Sequence, residues 1–222
     1  MSSPATERYA LDPAPDTLAL AQDLLNTRGV GTQPDLLADL PSATAWISDV
    51  VPGEVTLTDA DVEHLRTFRA ELHRLVTPDV PPPEATKGRK PPSEAKAPGA
   101  GDAQQSTSAP ASGPDLASDP ASASASAWSA VAAELVLGAD GVVELRAGGR
   151  GAEYVISRVL AEVLAGQQVD TWRRLKACKN DRCRVVFYDR SRNNSGVWHS
   201  LKTCGNPANL RAFRARNKET SS

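Results

Sequence analysis

All three cysteines of the 222-residue chain lie in one short stretch near its end, together with one of its three histidines. Their spacing is Cys178-x4-Cys183-x15-His199-x4-Cys204. Two close pairs of thiol and imidazole ligands, separated by a loop of this length, are typical of a tetrahedral zinc site in which each pair lies on a tight turn. The sequence therefore predicts one zinc ion bound by these four side chains.

The predicted site has a structural rather than a catalytic ligand set. Four protein ligands leave no open position on the metal, whereas a catalytic zinc normally keeps one for water. Residues 1–166 contain no nucleophile–base signature, glycine-rich phosphate loop or carboxylate pair. We therefore expect a protein that is not an enzyme. Two alternatives stay open: His199 points away and water replaces it, or the cysteines are reduced surface residues beside an unrelated histidine.

The zinc-binding stretch is also the basic end of the chain. Residues 173–218 hold 13 Lys and Arg against two Asp, while the rest holds 12 Lys and Arg against 25 Asp and Glu. This division predicts a polyanionic partner, with a solvated basic tail as the plainer alternative. A helix is predicted over 206–217, docked by Leu210 and Phe213. The candidate nucleic-acid-binding residues are Arg190, Arg192, Lys202, Arg211, Arg214 and Lys218.

The number of cysteines and the first residues of the chain indicate the cellular compartment. Three cysteines cannot form a complete set of disulfides, and "MSSPATERYALDPAPDTLAL" lacks the basic and apolar regions of a secretory signal. No stretch approaches the roughly 18 apolar residues that cross a bilayer. We expect a cytoplasmic protein that does not associate with membranes.

The chain before the basic stretch divides into three parts. Residues 1–77 predict three helices: one ending near Gly29, a second over 35–51 interrupted early by Pro41, and a third opened by a Thr58–Asp61 capping box. Residues 78–127 hold ten of the 17 prolines among Ala, Ser and Gly, and predict a disordered insertion. Residues 128–170 predict a β-hairpin and an amphipathic helix.

The predicted fold class is α+β: a mainly helical N-terminal domain with a β-hairpin, followed by a small zinc-ribbon-like finger over 171–218. His64 and His73 lie about 180° apart on the third helix, so we expect surface or helix-packing roles for them. Asn26, Thr27 and Arg28 cluster at the end of the first helix, where they predict a plain C-terminal cap or, alternatively, the wall of a pocket.

Several short motifs resemble a known family. "CKNDRC", "FYDRSRN", the Trp before the third ligand and "CGN" are similar to the CGNR zinc finger over about residues 175–216. That finger closes many bacterial proteins whose N-terminal part is the stress-induced transcription regulator domain ABATE. "LALAQDLLNTRG" resembles the opening of that domain, which would comprise 1–77 and 128–170 around the insertion.

Two positions depart from the family pattern. His199 stands where the family has its third Cys, which keeps tetrahedral binding with one thiolate fewer. Pro207 stands where the family has its name-giving Arg. If that Arg grips phosphate, this chain has one contact fewer and depends on Arg192, Arg211 and Arg214.

The resemblance implies a stress-related transcription regulator whose finger binds nucleic acid, DNA ahead of RNA, and whose N-terminal domain has a possible small-molecule effector. One alternative is an RNA-binding zinc-ribbon protein that stacks bases on Phe187, Tyr188 and Trp198. Another is a small-molecule-binding domain that the finger merely stabilises.

Overall fold

The computed structural model describes residues 2–15, 17–77, 131–207 and Leu210. The helices are α1 (Pro4–Glu7), α2 (Ala19–Asn26), α3 (Leu40–Val50), α4 (Asp59–Leu75) and α5 (Gly151–Gln168). Strands β1 (Ala133–Leu137) and β2 (Val143–Ala147) form one antiparallel hairpin, and β3 (Leu175–Ala177) and β4 (Val186–Tyr188) form another. The fold is α+β, as predicted. The predicted insertion over 78–127 lies outside the described residues.

The start of α4 also fixes the start of α5. The Thr58 hydroxyl accepts a hydrogen bond from the Asp61 N–H, and the Asp61 carboxylate accepts one from the Thr58 N–H, which confirms the predicted capping box. The second oxygen of Asp61 accepts from the N–H of Ala152 at 2.9 Å. Gly151 has φ +54°, and a Cβ there would lie 2.5 Å from Asp61. One carboxylate therefore caps two helices, and only glycine fits beside it.

Helix α3 begins later than the sequence pattern predicts. Asp39 caps it by accepting from the N–H of Ser42 at 2.8 Å, and Pro41 lies in the first turn. A proline in the first turn has no hydrogen-bond partner to lose. The prediction that Pro41 interrupts this helix is therefore wrong, because the helix starts there.

Helix α2 lies at the centre of the N-terminal domain, and each of its eight residues is buried. It packs against α1, α4, α5 and strand β4. The apolar core around it is built from the inward faces of the longer helices. Its most buried large side chains include Leu24, Leu25, Ile47, Leu65, Val155 and Val159.

The first hairpin has the predicted pairing but not a buried apolar face. Leu135 pairs with Leu145, and Leu137 with Val143. Leu135 is 75% exposed and Leu137 is 70% exposed, so the alternating pattern predicted the strands without placing their side chains in the core. Among the described residues, no helix is long and apolar enough to cross a membrane.

Candidate metal centre

The first pair of ligands lies on the turn that joins β3 to β4. Cys178 directly follows β3, and its N–H donates to the carbonyl of Val185 at 2.8 Å. The carbonyl of Asn180 accepts from the N–H groups of Cys183 at 2.8 Å and Arg184 at 3.1 Å. Arg184 has φ +59°, the left-handed conformation that lets the chain reverse within this short turn. The turn brings both thiols to the same side.

The second pair lies on a single helical turn, Leu201–Gly205, which His199 precedes and which contains Cys204. Ser200 caps this turn by accepting from the N–H of Thr203 at 3.2 Å. A Cβ on Gly205 would lie 3.0 Å from the ring of Trp198, so glycine allows the turn to pack against the indole.

The four predicted ligands meet at one point. The donor atoms of Cys178, Cys183, His199 and Cys204 all lie within 4.8 Å of one another. Nδ1 of His199 lies 3.3 Å from the Cys183 sulfur and 3.6 Å from the Cys204 sulfur. Tetrahedral zinc with its usual bond lengths places nitrogen and sulfur ligands about 3.6 Å apart. The residues fit one structural zinc, and the alternative in which His199 points away is wrong.

The surroundings of the sulfurs stabilise thiolates. The Asn180 side chain donates to the Cys204 sulfur at 3.3 Å. A hydrogen bond with the Cys183 thiol lowers the pKa of Cys178 against the opposing effect of burial, with further contributions from the His199 side chain and from the backbone N–H groups of Asn180 and His199. The same hydrogen bond, together with burial, raises the pKa of Cys183. A bound zinc would take both sulfurs as thiolates and would release the protons that they still hold.

The finger is packed onto the N-terminal domain through strand β4. The amide nitrogen of Asn26 donates to the Val186 carbonyl at 2.8 Å, and its Oδ1 accepts from the Val186 N–H at 2.8 Å. Gln22 donates to the same carbonyl at 3.3 Å. The sequence predicted that Asn26 and its neighbours form the C-terminal cap of helix α2. Thr27 does cap α2, with its hydroxyl on the Leu24 carbonyl. Asn26 instead bridges to the finger.

Two further contacts connect α4 to the finger. The N–H of Ala177 donates to the Val76 carbonyl at 2.8 Å, just after α4 ends. The His73 ring nitrogen Nε2 lies 2.8 Å from the Arg184 carbonyl, next to ligand Cys183. His73 therefore has the predicted packing role. Apolar side chains from the N-terminal domain also pack against the buried cysteines, namely Tyr9, Leu11 and Val30.

The loop after β4 is organised around Asp189, which sequence reasoning did not select. Its carboxylate accepts from Lys176 Nζ at 2.8 Å, from the Ser191 N–H at 2.9 Å and from the Gly196 N–H at 2.7 Å. Burial alone would raise the pKa of Asp189, but these bonds outweigh it and hold that pKa well below its usual range. Asp189 thus fixes both ends of the loop over 190–197.

The predicted nucleic-acid-binding residues have different surroundings. Arg190 is exposed, donates to the Pro13 carbonyl at 2.7 Å and lies 5.5 Å from the centre of the Tyr188 ring. Arg192 and Lys202 are exposed, and neither makes an ion pair with the described residues. The remaining three lie outside the described part of the chain: Arg211, Arg214 and Lys218.

The helix predicted after Asn206 is described only in part. Asn206, Pro207 and Leu210 are helical, and the other residues lie outside the described ranges. Leu210 is 49% exposed, so the prediction that it docks this helix under the zinc site is wrong.

Part of the basic excess is used inside the finger. Arg174 donates to the carbonyls of Asp189 and Ser191, both at 2.9 Å. Lys176 is paired with Asp189, and Arg184 with Asp181. Exposed cations missed by the sequence reasoning lie on the first ligand turn instead, at Lys179 and Arg182. Both residues lie between Cys178 and Cys183 in the sequence, and that position could have identified them as candidates.

The aromatic residues of the finger are largely committed to packing. Phe187 is only 7% exposed and belongs to strand β4. Trp198 packs against the buried cysteines of the metal site. Tyr188 is half-buried beside Arg190. Among the described residues of the finger, none of these three rings is fully open for stacking against bases.

A helical domain that carries a Cys3His site for one structural zinc defines a zinc finger protein. Residues 174–217 match the CGNR zinc finger, and residues 18–171 match the ABATE family, whose description reads "Putative stress-induced transcription regulator". The chain belongs to the ABATE family and carries a CGNR zinc finger. None of the curated proteins matches this chain.

Proposed function

We propose that the finger binds DNA and that the protein regulates transcription by binding rather than by catalysis. The observation that carries this proposal is the pair of exposed cations, Arg192 and Lys202, on two hydrogen-bonded turns of the finger. Arg192 lies on the loop that Asp189 fixes, and Lys202 lies on the turn that contains Cys204. The description of the ABATE family supports the regulatory part.

Phosphate contacts supply most of the affinity of such a surface. Each cation that neutralises a phosphate releases counterions, and contacts of this kind also set the orientation of a protein on the duplex. When the turns are already fixed by hydrogen bonds, binding orders the cationic side chains but adds little backbone ordering. Pro207 offers no positive charge, so the cations of the two turns bear more of the binding than they would beside an arginine.

DNA is the proposed partner because the finger offers little for RNA recognition. Sequence-specific RNA binding depends strongly on stacking unpaired bases on aromatic rings. Phe187 is buried, and Trp198 is partly covered because it packs on the metal site. Among the described residues of the finger, the cations are exposed while the rings are at most partly exposed, which favours a partner that is read through its backbone and grooves.

Fluorescence anisotropy of the zinc-loaded full chain tests the proposal, with labelled duplex DNA, single-stranded DNA and RNA across a salt series. On duplex DNA, log K should fall with log[salt] with a slope of about −0.9 per phosphate contact. Replacing Arg192 and Lys202 together by alanine should flatten that slope by about two units and weaken binding to all sequences. Arg146→Ala, which removes an exposed cation from β2, is the matched control and should change neither quantity.

Regulation requires preference for a sequence as well as binding. Duplexes enriched by repeated selection from a random pool should bind more tightly than the starting pool at physiological salt. Equal affinity would reduce the protein to a nonspecific polyanion binder. Tighter binding of RNA than of duplex DNA would replace DNA by RNA as the partner. Absence of binding to either nucleic acid at low salt would overturn the proposal.

A further inference from the structure

A cavity of about 520 Å³ lies beside α5, within the N-terminal domain. One wall is β2, with Leu145 and Arg146, and another is α5, with Tyr154, Arg158 and Glu162. This volume falls in the range of sites that hold small organic molecules. The lining combines apolar surface with two guanidinium groups and one carboxyl group, which is the composition of a recognition site rather than of a packing defect.

Arg158 is the unexplained residue in this cavity. Its Nε is buried and has no hydrogen-bond partner, and the described residues offer its guanidinium no ion pair. Buried polar groups are almost always hydrogen-bonded, because leaving one without a partner carries the full cost of its desolvation. Arg158 lines the cavity and has no partner among the described residues, so its guanidinium is available to a partner that enters from outside.

Glu162, one helical turn after Arg158, does not serve as that partner. Its Oε2 accepts from the N–H groups of Leu20 and Ala21, at 3.0 and 3.1 Å, in the first turn of α2. The carboxyl group is therefore directed to α2 rather than to Arg158. Burial raises the pKa of Glu162 to about 7, against smaller opposing contributions from the two N–H groups and Arg158. Near neutral pH it is protonated about half of the time, so it repels an anion in the cavity only weakly.

Arg146 on the opposite wall belongs to the exposed hairpin and pairs with Glu144 at 3.1 Å. That pair is open to solvent, with both side chains more than half exposed, so it contributes little and can rearrange. The cavity therefore has one arginine, Arg158, without a partner among the described residues and a second that can turn towards a ligand. Guanidinium groups match carboxylates in geometry and charge, since they donate two parallel hydrogen bonds.

We propose that this cavity binds a small organic carboxylate, with its carboxylate on Arg158 and its apolar body against Leu145 and Tyr154. The ligand would be the effector that controls the proposed regulator. In this respect the inference rests on the proposed function. Binding itself needs no nucleic acid, so an assay without nucleic acid distinguishes a failure of this inference from a failure of DNA binding.

Isothermal titration calorimetry of the zinc-loaded full chain tests the inference, with benzoate as the probe and benzamide as its neutral equivalent of similar shape. Benzoate should bind saturably in the millimolar range or below, and benzamide should bind at least tenfold more weakly. Arg158→Gln should weaken benzoate binding at least tenfold. Arg150→Gln, an equal change of charge at the exposed residue that precedes α5, should leave it unchanged.

Three results would overturn the inference: no saturable binding of benzoate, equal binding of benzamide, or an equal loss in both arginine variants. The last would mean that benzoate responds to net charge alone. Thermal unfolding of each variant checks that its fold is intact. If Arg158→Gln unfolds, Arg158→Lys serves in its place. Lysine keeps the charge but cannot donate two parallel hydrogen bonds, so weaker binding is again expected and unchanged binding would contradict the geometry.

Discussion

The side chain of Asn26 and the backbone of Val186 exchange two hydrogen bonds, each 2.8 Å long, across 160 residues of sequence. Val186 pairs with Ala177 on one edge of β4, and Asn26 occupies the other edge as an additional strand would. Since Val186 lies three residues after ligand Cys183, this amide connects helix α2 to the metal site. The finger is therefore stabilised by the N-terminal domain as well as by zinc.

Replacing Asn26 by alanine should strongly destabilise the protein. The change leaves the buried N–H of Val186 without its partner and the Val186 carbonyl with only the longer bond from Gln22, which costs roughly 2–4 kcal/mol in the free energy of unfolding. Urea unfolding of the zinc-loaded chain measures this cost. Asn193→Ala, at an exposed position of the loop, is the matched control and should change stability by less than about 0.5 kcal/mol. Equal effects in both variants would show that the bridge contributes nothing specific.

Loss of the imidazole ligand should weaken zinc binding but not abolish it. His199→Ala leaves three thiols, and its zinc affinity should fall by more than the roughly 10–100-fold seen when only an outer-shell partner is lost. His199→Cys should restore tight binding, because a fourth thiolate also completes tetrahedral coordination. Competition with a chromophoric chelator gives the affinities. His64→Ala, a change on α4 away from the site, should leave zinc affinity unaltered.

Zinc removal should also loosen the N-terminal domain, because β4 carries the bonds from Asn26 and Gln22. Chelation should therefore lower the thermal midpoint of the whole chain. Tryptophan fluorescence alone does not distinguish loosening of the N-terminal domain from loosening of the finger. Amide hydrogen exchange in α2 reports on the N-terminal domain, and it should become faster when the metal is removed. Unchanged protection of α2 would mean that the finger unfolds without affecting the domain.

The sequence was sufficient where the signal is local. The four metal ligands were predicted because thiols and imidazole recur at a diagnostic spacing, and the Thr58–Asp61 capping box because cap and partner are three residues apart. The first hairpin followed from alternation around turn residues. Each of these features depends on residues that are close along the chain, so composition and spacing carry the information.

The long-range relationships could not be predicted. The bridge from Asn26 to Val186 depends on a tertiary contact, and no pattern within α2 indicates it. In the sequence, Asp189 is simply an acidic residue in a basic loop. Only the three hydrogen bonds that its carboxylate accepts identify it as the centre of that loop. Leu135 matched an apolar face but is exposed, because alternation predicts a strand and not which surface covers it.

Glu162 gives stability a pH dependence of known sign. Burial raises its pKa from 4.5 to about 7 in the folded protein. The protonated form is therefore favoured by folding, so its contribution is fully present below about pH 4.5 and is lost as pH rises through 7. At 1.36 kcal/mol per unit of pKa, the loss is at most about 3 kcal/mol.

Glu162→Gln removes this titration while keeping an oxygen for the N–H groups of Leu20 and Ala21. The contributions of the other titrating groups cancel when the unfolding free energy of the wild type is subtracted from that of the variant. This difference, measured by urea unfolding at each pH, should increase between pH 4.5 and 8, because only the wild type loses stability through Glu162. A difference that stays constant across this range would contradict a raised pKa for Glu162.

Two acids of the finger should affect nucleic-acid binding in opposite directions. Asp181 is exposed and lies on the first ligand turn, so Asp181→Asn removes a negative charge from the proposed interface and should strengthen binding. Asp189→Asn removes the same charge, yet it should weaken binding. The amide cannot accept all three hydrogen bonds from Lys176, Ser191 and Gly196, so the loop that carries Arg192 loses its fixed conformation.

Anisotropy with duplex DNA at one salt concentration compares the two variants directly. If both bind more tightly than wild type, net charge alone governs affinity and the conformation of the 190–197 loop has no part in it. Asp189→Asn should also show faster amide exchange at Ser191 and Gly196, whereas Asp181→Asn should not. Because both variants gain the same charge, opposite shifts in affinity cannot come from net charge, and faster exchange at Ser191 and Gly196 would assign the loss to the order of the loop.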